Sequence, residues 1–280
     1  MGIRKVQRLI SPVSTSDGAG VRLQRSLGQS PFHRHDPFLL LDEFGSDEAA
    51  DYIRGFPAHP HRGFETVTYM LEGHMLHEDH LGNRGDLRSG GVQWMSAGRG
   101  IIHSEMPQQT EGKMHGFQLW VNLPASDKMK PAAYRDIPAE EIPVFDGNGL
   151  RVKVVAGEYG DDDSRVTGPV SGPTTQPQYF DVTAVSGTVF SQDIDPAMNV
   201  LIYVYEGAVT IGSESVEHGA ALLGEGDRLE VIAGPDGASF LVLAGKPLNE
   251  PVVQYGPFVM NTREEIEQAL ADYKAGRLTD

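Results

Sequence analysis

Two short stretches of the sequence place candidate metal ligands at alternate positions. His59 and His61 flank Pro60 in the first stretch, and His103 and Glu105 lie two residues apart in the second. Residues i and i+2 of an extended segment point to the same face, and proline restricts the residue before it to extended backbone. Each stretch therefore predicts one pair of ligands on one side of a strand.

Together the two pairs would offer three imidazole nitrogens and one carboxylate. That set suits Fe, Mn, Co, Ni, Cu or Zn, because Ca²⁺ and Mg²⁺ prefer oxygen ligands alone. Four ligands leave one or two coordination positions open, as binding of oxygen or substrate requires. The turn at residues 98–100, just before His103, would let that strand begin close to the site. The alternative is four unrelated polar residues at loop ends, with the histidine pair exposed to solvent.

Composition narrows the remaining possibilities. The chain has 280 residues, 39% of them hydrophobic and 22% charged, which is typical of a globular protein of two domains. It contains no cysteine, so thiolate zinc sites, Fe–S clusters and disulfides are excluded. A net charge of −16 argues against direct nucleic-acid binding. It permits a basic protein partner. Without a signal-peptide pattern or a membrane-span pattern, we expect a cytoplasmic protein with no membrane association.

Most of the chain is typical of short strands bounded by Gly, Pro or Asp, which favours β-sandwiches or barrels. The clearest strand candidates are residues 66–73, 116–123, 151–158, 199–207 and 238–245. One helix is predicted at about residues 262–276. There Thr262 and Glu265 have the spacing of a capping box, and Ile266, Leu270 and Tyr273 share one face. We expect this helix to pack on a barrel.

An internal repeat indicates two barrels of similar build. "VTYMLEG" at residues 67–73 aligns with "LIYVYEG" at residues 201–207. On this alignment His59 and His61 fall opposite Asp193 and Asp195, so the second copy lacks the histidines. We predict an N-terminal barrel with the metal site over residues 1–135 and a C-terminal barrel without one over residues 136–280. The N-terminal segment and the C-terminal helix are candidates to cover sheet edges on the opposite barrel.

Other histidines lack a second half-site. His74, His77 and His80 recur at intervals of three, which does not place three imidazoles on one face of a strand. We interpret them as a solvated hairpin. The alternative gives His77 or His80 a place at the cavity mouth as a substrate base. His33 and His35 are interpreted as structural or surface groups.

The remaining candidates are weaker. Gln118 and Trp120 share one face of a strand and His115 and Phe117 the other, so only one of these sets can face a metal. The acidic residues 161–163 are interpreted as a solvated loop, because they lack a calcium-loop pattern.

The motifs "HPHRGFETVTYMLEG" and "QWMSAGRGIIHSEMP" closely resemble the metal-binding barrel of the pirin family, a branch of the cupins. The resemblance continues in "DPFLLLDEFG", "HGFQLWVNLP", "LLGEGD" and "GPFVMNTREEI", from about Asp36 to the C-terminal helix. It implies an all-β protein of two tandem cupin barrels with metal in the first. By matching position it places the ligands at His59, His61, His103 and Glu105. It also implies that Glu65, the carboxylate of the general cupin motif, supports the site without being a ligand.

The resemblance also implies a function. Pirin-like proteins have been associated with quercetinase activity, the opening of a flavonol's central ring by O2 with release of carbon monoxide. We therefore expect one divalent transition metal, iron by resemblance, with Mn, Ni, Co, Cu and Zn as alternatives. Glu105 would accept the proton of the flavonol hydroxyl, either itself or together with a second base nearby. The alternative function is a non-enzymatic, iron-dependent regulator that binds a transcription factor or a metabolic enzyme. We expect a monomer.

Overall fold

The computed structural model describes residues 2–280. Its chain forms two compact units, each built around one barrel. The C-terminal barrel contains residues 2–13, Ser26–Pro37 and Glu140–Pro247, and the N-terminal barrel contains Ser14–Arg25, Phe38–Ala139 and Leu248–Asp280. Across the described residues, no helix combines the length and the apolar character that crossing a membrane demands.

The chain is mostly β-strand, as the turn-rich sequence predicts. In chain order the first strands are β1 (Val6–Ile10), β2 (Val13–Asp17), β3 (Val21–Leu27), β4 (Phe38–Ser46), β5 (Phe56–His61), β6 (Phe64–Glu72), β7 (His74–Asp79), β8 (Arg84–Arg88), β9 (Val92–Ser96), β10 (Ile101–Pro107), β11 (Met114–Asn122) and β12 (Ala133–Ile137). They are followed by β13 (Val144–Gly147), β14 (Leu150–Ala156), β15 (Glu158–Tyr159), β16 (Val166–Thr167), β17 (Gln178–Ala184), β18 (Val189–Asp193), β19 (Asn199–Ile211), β20 (Glu214–Val216), β21 (Gly219–Leu223), β22 (Arg228–Gly245), β23 (Val253–Tyr255) and β24 (Phe258–Met260). The helix α1 spans Arg263–Lys274, and short 3₁₀ turns span Ala49–Asp51 and Ala139–Glu141.

The main sheets of the two barrels match in strand order over six neighbouring strands, whereas the edge strands β12 and β1 come from different places in the chain. The N-terminal order is β12-β9-β6-β11-β4-β3-β2, and the C-terminal order is β1-β21-β19-β22-β17-β14-β13. The two copies of the sequence repeat, in β6 and β19, occupy the third position of both sheets. The prediction of two barrels of similar build is confirmed. The N-terminal barrel also has a four-stranded sheet of order β5-β10-β7-β8, which carries the predicted ligands.

The two units divide the chain differently from the predicted boundary at residues 135 and 136. The break between the barrels falls between Ala139 and Glu140, and each barrel takes a terminal segment from the far end of the chain. Strand β1 joins the C-terminal sheet because it pairs with β21. Residues 248–280 join the N-terminal barrel, where the amide of Val259 donates to the carbonyl of Arg62 over 3.0 Å.

The C-terminal helix begins as predicted. The Thr262 hydroxyl accepts from the Glu265 amide at 3.2 Å, and the Glu265 carboxylate accepts from the Thr262 amide at 2.9 Å. This reciprocal pair is a capping box. The buried face is shorter than the predicted stripe, because Ile266 is buried while Tyr273 is 43% exposed.

The C-terminal barrel is filled by one apolar cluster. Aliphatic and aromatic side chains from β14, β17, β18, β19, β21 and β22 pack together there. Its three phenylalanines, Phe180, Phe190 and Phe240, are 0% exposed. Continuous apolar strands of this kind predict burial on the inner face, and burial of apolar area supplies the main favourable term in folding.

Candidate metal centre

Strands β5 and β10 bring the three predicted histidine ligands together. The antiparallel register sets His59 opposite His103, and His61 lies two residues along β5 from His59. Among the described residues, these three histidines form a cluster whose candidate ligand atoms all lie within 4.8 Å of one another. The ring centroids are 4.3 to 5.0 Å apart. The spacing of i and i+2 on one strand, joined to a second strand by pairing, produces this geometry.

The chemistry of the three rings fits a transition metal. Burial, with a smaller contribution from neighbouring imidazoles, lowers the pKa of both His61 and His103 well below the ordinary value. Both rings are therefore neutral, as metal ligation requires. His61 Nδ1 and His103 Nε2 are buried without a hydrogen-bond partner among residues 2–280. Because buried nitrogens are normally hydrogen-bonded, two orphaned nitrogens in one cluster indicate a site built for a ligand.

The ring of His59 also has one nitrogen available for a metal. His59 Nδ1 lies 2.8 Å from the carbonyl oxygen of Pro57. A carbonyl accepts only, so Nδ1 carries the proton and His59 Nε2 keeps its lone pair. Such outer hydrogen bonds fix the tautomer of metal-binding histidines.

Glu105 lies near the cluster and is held by hydrogen bonds. Its side chain is on the same strand as His103, two residues along, and is 2% exposed. Thr68 Oγ1 donates to Glu105 Oε1 over 3.0 Å, and Gln118 Nε2 donates to Oε2 over 3.1 Å. Glu105 is not part of the three-histidine cluster. Its role as a fourth ligand stays a prediction.

The structure decides which face of β11 points toward the site. Gln118 donates to Glu105, and the Trp120 ring lies 5.4 Å from the His61 ring. Residues 115 and 117 therefore point to the other face of the strand. Gln93, which pairs with Thr68 across β9 and β6, is 3% exposed, and both polar atoms of its amide are without a partner among the described residues.

The interpretation of the segment around His77 as a solvated hairpin does not hold for this residue. The hairpin β7–β8 exists, but His77 is 1% exposed and its Nδ1 lies 3.3 Å from Nδ1 of His103. The interpretation was wrong for this residue because β7 also pairs with β10, which places His77 opposite Glu105. The three-residue spacing of His74, His77 and His80 does not indicate that β7 pairs with a strand distant in sequence. The position of His77 two residues after the apolar Met75, on the same face of a strand, is the sequence signal that could have indicated its burial.

Glu65 lies away from the cluster. Its carboxylate accepts from Trp94 Nε1 at 3.1 Å and from Lys130 Nζ at 3.3 Å. Because Glu65 and Thr68 are three residues apart on β6, they point to opposite faces. Glu65 therefore supports the barrel wall, which agrees with its assignment as a residue that is not a ligand.

Arg62 anchors the strand that carries the histidines. It follows His61 directly and is 3% exposed. Its guanidinium donates to Asp272 Oδ2 over 2.8 Å and to the carbonyl of Leu278 over 3.0 Å. The segment after the helix thus fixes the end of β5, because arginine can satisfy several acceptors with one planar group.

Gly98 shapes the turn before β10. It has φ of +48°, and a Cβ there would lie 2.2 Å from the carbonyl oxygen of Lys130. Only glycine fits such a position without strain. The turn therefore lets β10 start beside β5, as the sequence predicts.

The other candidates behave as structural or surface groups. His33 Nδ1 pairs with Ser30 Oγ at 2.9 Å, and His35 Nε2 pairs with the carbonyl of Val200 at 3.1 Å. Residues 161–163 are exposed. A surface cleft of about 1770 Å³ lies in the C-terminal barrel, and its wall contains none of the three clustered histidines.

Comparisons with known proteins identify the family. The family model described as Pirin matches residues 20–121, and the one described as Pirin C-terminal cupin domain matches residues 179–279. Human Pirin is 43% identical over 97% of this chain and 92% of its own length. The chain belongs to the pirin family. Its two barrels are the two cupin domains of that family.

Two further comparisons cover nearly the whole chain. A Pseudomonas aeruginosa protein whose name proposes quercetin 2,3-dioxygenase activity is 54% identical over 98% of both chains. The crystal structure of quercetin 2,3-dioxygenase from Acinetobacter baumannii superposes with a TM-score of 0.89 at 34% identity, covering 99% of each chain.

Proposed function

We propose that this pirin-family protein is a metal-dependent dioxygenase that opens the central ring of a flavonol with O2 and releases carbon monoxide. The observation that carries the proposal is the cluster of His59, His61 and His103 with two orphaned ring nitrogens. A three-histidine cluster suits a catalytic transition metal with open coordination positions.

The proposed ligands are the three histidines and Glu105. When bound, a divalent transition metal, for which we propose iron, supplies Lewis acidity toward the flavonol hydroxyl and redox chemistry toward O2. The protein contributes the nitrogen ligands and their orientation. The names of similar proteins support this assignment. The Acinetobacter baumannii structure is named as a quercetin 2,3-dioxygenase, and the name of the Pseudomonas aeruginosa protein proposes the same activity.

Glu105 is the proposed proton acceptor. A carboxylate is a suitable base for the flavonol 3-hydroxyl when it is held within hydrogen-bonding reach. The donors Thr68 and Gln118 fix the two carboxylate oxygens of Glu105. These contacts hold the carboxylate of Glu105 in one orientation.

The interior beside Glu105 is suited to a hydroxylated aromatic substrate. The Gln93 amide offers a buried donor and a buried acceptor without partners among residues 2–280, and Trp120 supplies an aromatic surface next to His61. A few placed polar groups within an apolar lining are typical of small-molecule sites.

Anaerobic reconstitution tests the activity. Metal-free protein is loaded with Fe²⁺, quercetin is added, and air is then admitted. We expect loss of the flavonol absorbance with one carbon monoxide released for each quercetin consumed. No consumption with Fe²⁺, Mn²⁺, Ni²⁺, Co²⁺ or Cu²⁺ would contradict the proposal. A partner protein whose binding depends on the metal's oxidation state would then favour the regulator.

A pair of isosteric variants tests the role of Glu105. We expect Glu105→Gln to reduce kcat by about 10²- to 10⁴-fold, the usual contribution of a general base. Metal content is measured on the same sample. The matched control is Glu65→Gln, a buried carboxylate on the opposite face of β6, for which we expect unchanged turnover. Full activity of Glu105→Gln with metal retained would exclude the base role.

A further inference from the structure

Beyond the three clustered histidines lies a buried chain of hydrogen bonds that leads away from the metal centre. His103 Nδ1 is 3.3 Å from His77 Nδ1, and His77 Nε2 is 3.3 Å from Asp79 Oδ2. The side chains of His77 and Asp79 are 2% and 0% exposed. Cross-strand pairing of β7 with β10 produces this line, because Asp79 lies opposite His103 and His77 lies opposite Glu105.

The carboxylate of Asp79 is fixed as an acceptor. The amides of Leu81 and Asn83 donate to Oδ1 over 2.9 and 3.1 Å, and Asn83 Nδ2 donates to Oδ2 over 2.8 Å. Three donors stabilise the ionised form of a carboxylate. An ionised carboxylate can only accept hydrogen bonds. The group that meets it from His77 must therefore be a donor.

This requirement sets the proton positions along the chain. His77 donates from Nε2, so in a neutral ring its Nδ1 is the acceptor. The facing nitrogen, His103 Nδ1, must then carry a proton. The lone pair of His103 is left on Nε2, the atom that is buried without a partner among the described residues. With the protons placed the other way, on Nδ1 of His77 and Nε2 of His103, the lone pair of His77 Nε2 would face the carboxylate of Asp79 and repel it.

We propose that His77 and Asp79 form a positioning relay that fixes the tautomer of His103, so that its Nε2 faces the metal centre as a ligand. The inference rests on the metal site of the proposed function and is independent of the substrate. Neither relay residue contacts the reacting atoms. Their effect on the metal passes through His103, since outer hydrogen bonds orient metal-binding histidines and raise their basicity.

Tyr134 holds the relay in plane. Its ring stacks on His77 with centroids 4.2 Å apart and an angle of 17° between the planes. Its hydroxyl donates to Asp136. Gly85 makes room for this hydroxyl, because a Cβ there would lie 1.5 Å from Tyr134 Oη. The stacked ring limits rotation of His77 and so keeps both of its nitrogens on their partners.

The first test reads the tautomers directly in metal-free wild-type protein. Long-range ¹H–¹⁵N NMR of histidine rings distinguishes a protonated Nδ1 from a protonated Nε2. We expect the proton on Nδ1 in His103 and on Nε2 in His77. A proton on Nε2 of His103 would overturn the relay. Because no flavonol is present, this readout is separate from any failure of quercetin turnover.

The second test compares two isosteric substitutions on the same hairpin. Asp79→Asn replaces an acceptor oxygen with an amide that donates to His77, which reverses the proton order and moves the His103 proton to Nε2. The control is Asp86→Asn. Asp86 pairs with the partly exposed His74 of β7 and lies outside the relay.

Zinc is the probe for affinity, measured by competition with a chromophoric chelator. We expect Asp79→Asn to bind zinc about 10- to 100-fold more weakly, the usual cost of losing an outer partner. The Asp86→Asn variant should match the wild type. Circular dichroism shows that both variants are folded. Equal zinc affinity in a folded Asp79→Asn variant would overturn the proposal, and wild-type protein that binds no zinc would overturn the metal site itself.

Discussion

In the N-terminal barrel the paired strands β5 and β10 set His59 beside His103, whereas in the C-terminal barrel the paired strands β18 and β22 set Phe190 beside Val231. Both apolar residues are 0% exposed. Six neighbouring strands have the same order in the main sheets of the two barrels. One architecture therefore encloses a polar interior in the first barrel and an apolar interior in the second.

The difference shows how a candidate metal centre fits within a stable fold. A buried polar group without a hydrogen-bond partner destabilises the folded state and so lowers the free energy of unfolding. The C-terminal barrel avoids this cost with a continuous apolar core. In the N-terminal barrel a few buried atoms, notably His61 Nδ1 and His103 Nε2, have no hydrogen-bond partner among the described residues. Neighbouring polar groups such as Glu105 are hydrogen-bonded. The unpaired nitrogens are the atoms that a metal would satisfy.

Removing a proposed metal ligand should give the largest difference between the two barrels, measured as metal affinity. We expect His59→Ala to weaken metal binding by more than about 100-fold, above the range for outer partners. The matched change in the C-terminal barrel is Asp193→Ala, the residue that the repeat aligns with His59. Asp193 is exposed and pairs with Arg228, so we expect its loss to leave metal affinity unchanged. Chelator competition measures both. Equal affinities in the two variants would remove the distinction between the barrels.

Substitutions of interior residues should change the free energy of unfolding differently in the two barrels. Phe190→Ala should lower the free energy of unfolding by about 3–5 kcal/mol, because a buried aromatic leaves a cavity. Gln93→Met in the N-terminal barrel should cost little or stabilise the metal-free protein, because it removes two unpaired buried atoms. Denaturant unfolding of metal-free protein measures the two effects. A large loss for Gln93→Met would show that the polar interior is internally paired.

Much of this contrast is accessible from sequence, because alternation along one strand is a local property. His59 and His61 share a face for that reason, and the histidines are absent from the aligned part of the second repeat. The capping box of α1 is equally local. What joins His103 to His77 is the register of β7 against β10, which depends on the whole sheet. Alternation also does not say which face of a strand points into the barrel. Only the structure shows that the face of β11 with Gln118, and not the face with His115, points toward the site.

The pH dependence of stability should reveal the buried lysine of the N-terminal barrel. Lys128 Nζ donates to the carbonyls of Gly63 and Val259 and to Asn122 Oδ1. Burial lowers the pKa of Lys128 to about 8, from 10.5. Between these values the unfolded chain keeps a proton that the folded chain has released. The contribution of Lys128 to the free energy of unfolding therefore rises with pH in this window, by at most about 1.4 kcal/mol per pH unit.

Lys128→Met provides the comparison. Denaturant unfolding of the wild type and of this variant between pH 7.5 and pH 10 should give curves whose difference grows with pH in favour of the wild type. Parallel curves would show that Lys128 titrates alike in the folded and unfolded chains. The variant also loses three hydrogen bonds, which shifts its curve without changing this slope.

The smallest expected effect lies at the start of α1. Thr262→Ala should lower the stability of the N-terminal barrel by about 1 kcal/mol, the usual value of an N-cap. Thr262→Ser, which keeps the hydroxyl, should restore most of it. Hydrogen exchange of residues in the two barrels can localise the change. Equal loss of protection in the C-terminal barrel would show that the terminal segment stabilises both.

The metal content of the purified chain tests the central claim most directly. Protein prepared without chelator is examined by elemental analysis, with the His103→Ala variant prepared in parallel. We expect one transition-metal ion for each wild-type chain and almost none in the variant, because the candidate cluster found among the described residues lies between β5 and β10. Two ions per chain, or one ion retained in His103→Ala, would contradict the assignment of the metal centre to the histidine cluster of the N-terminal barrel.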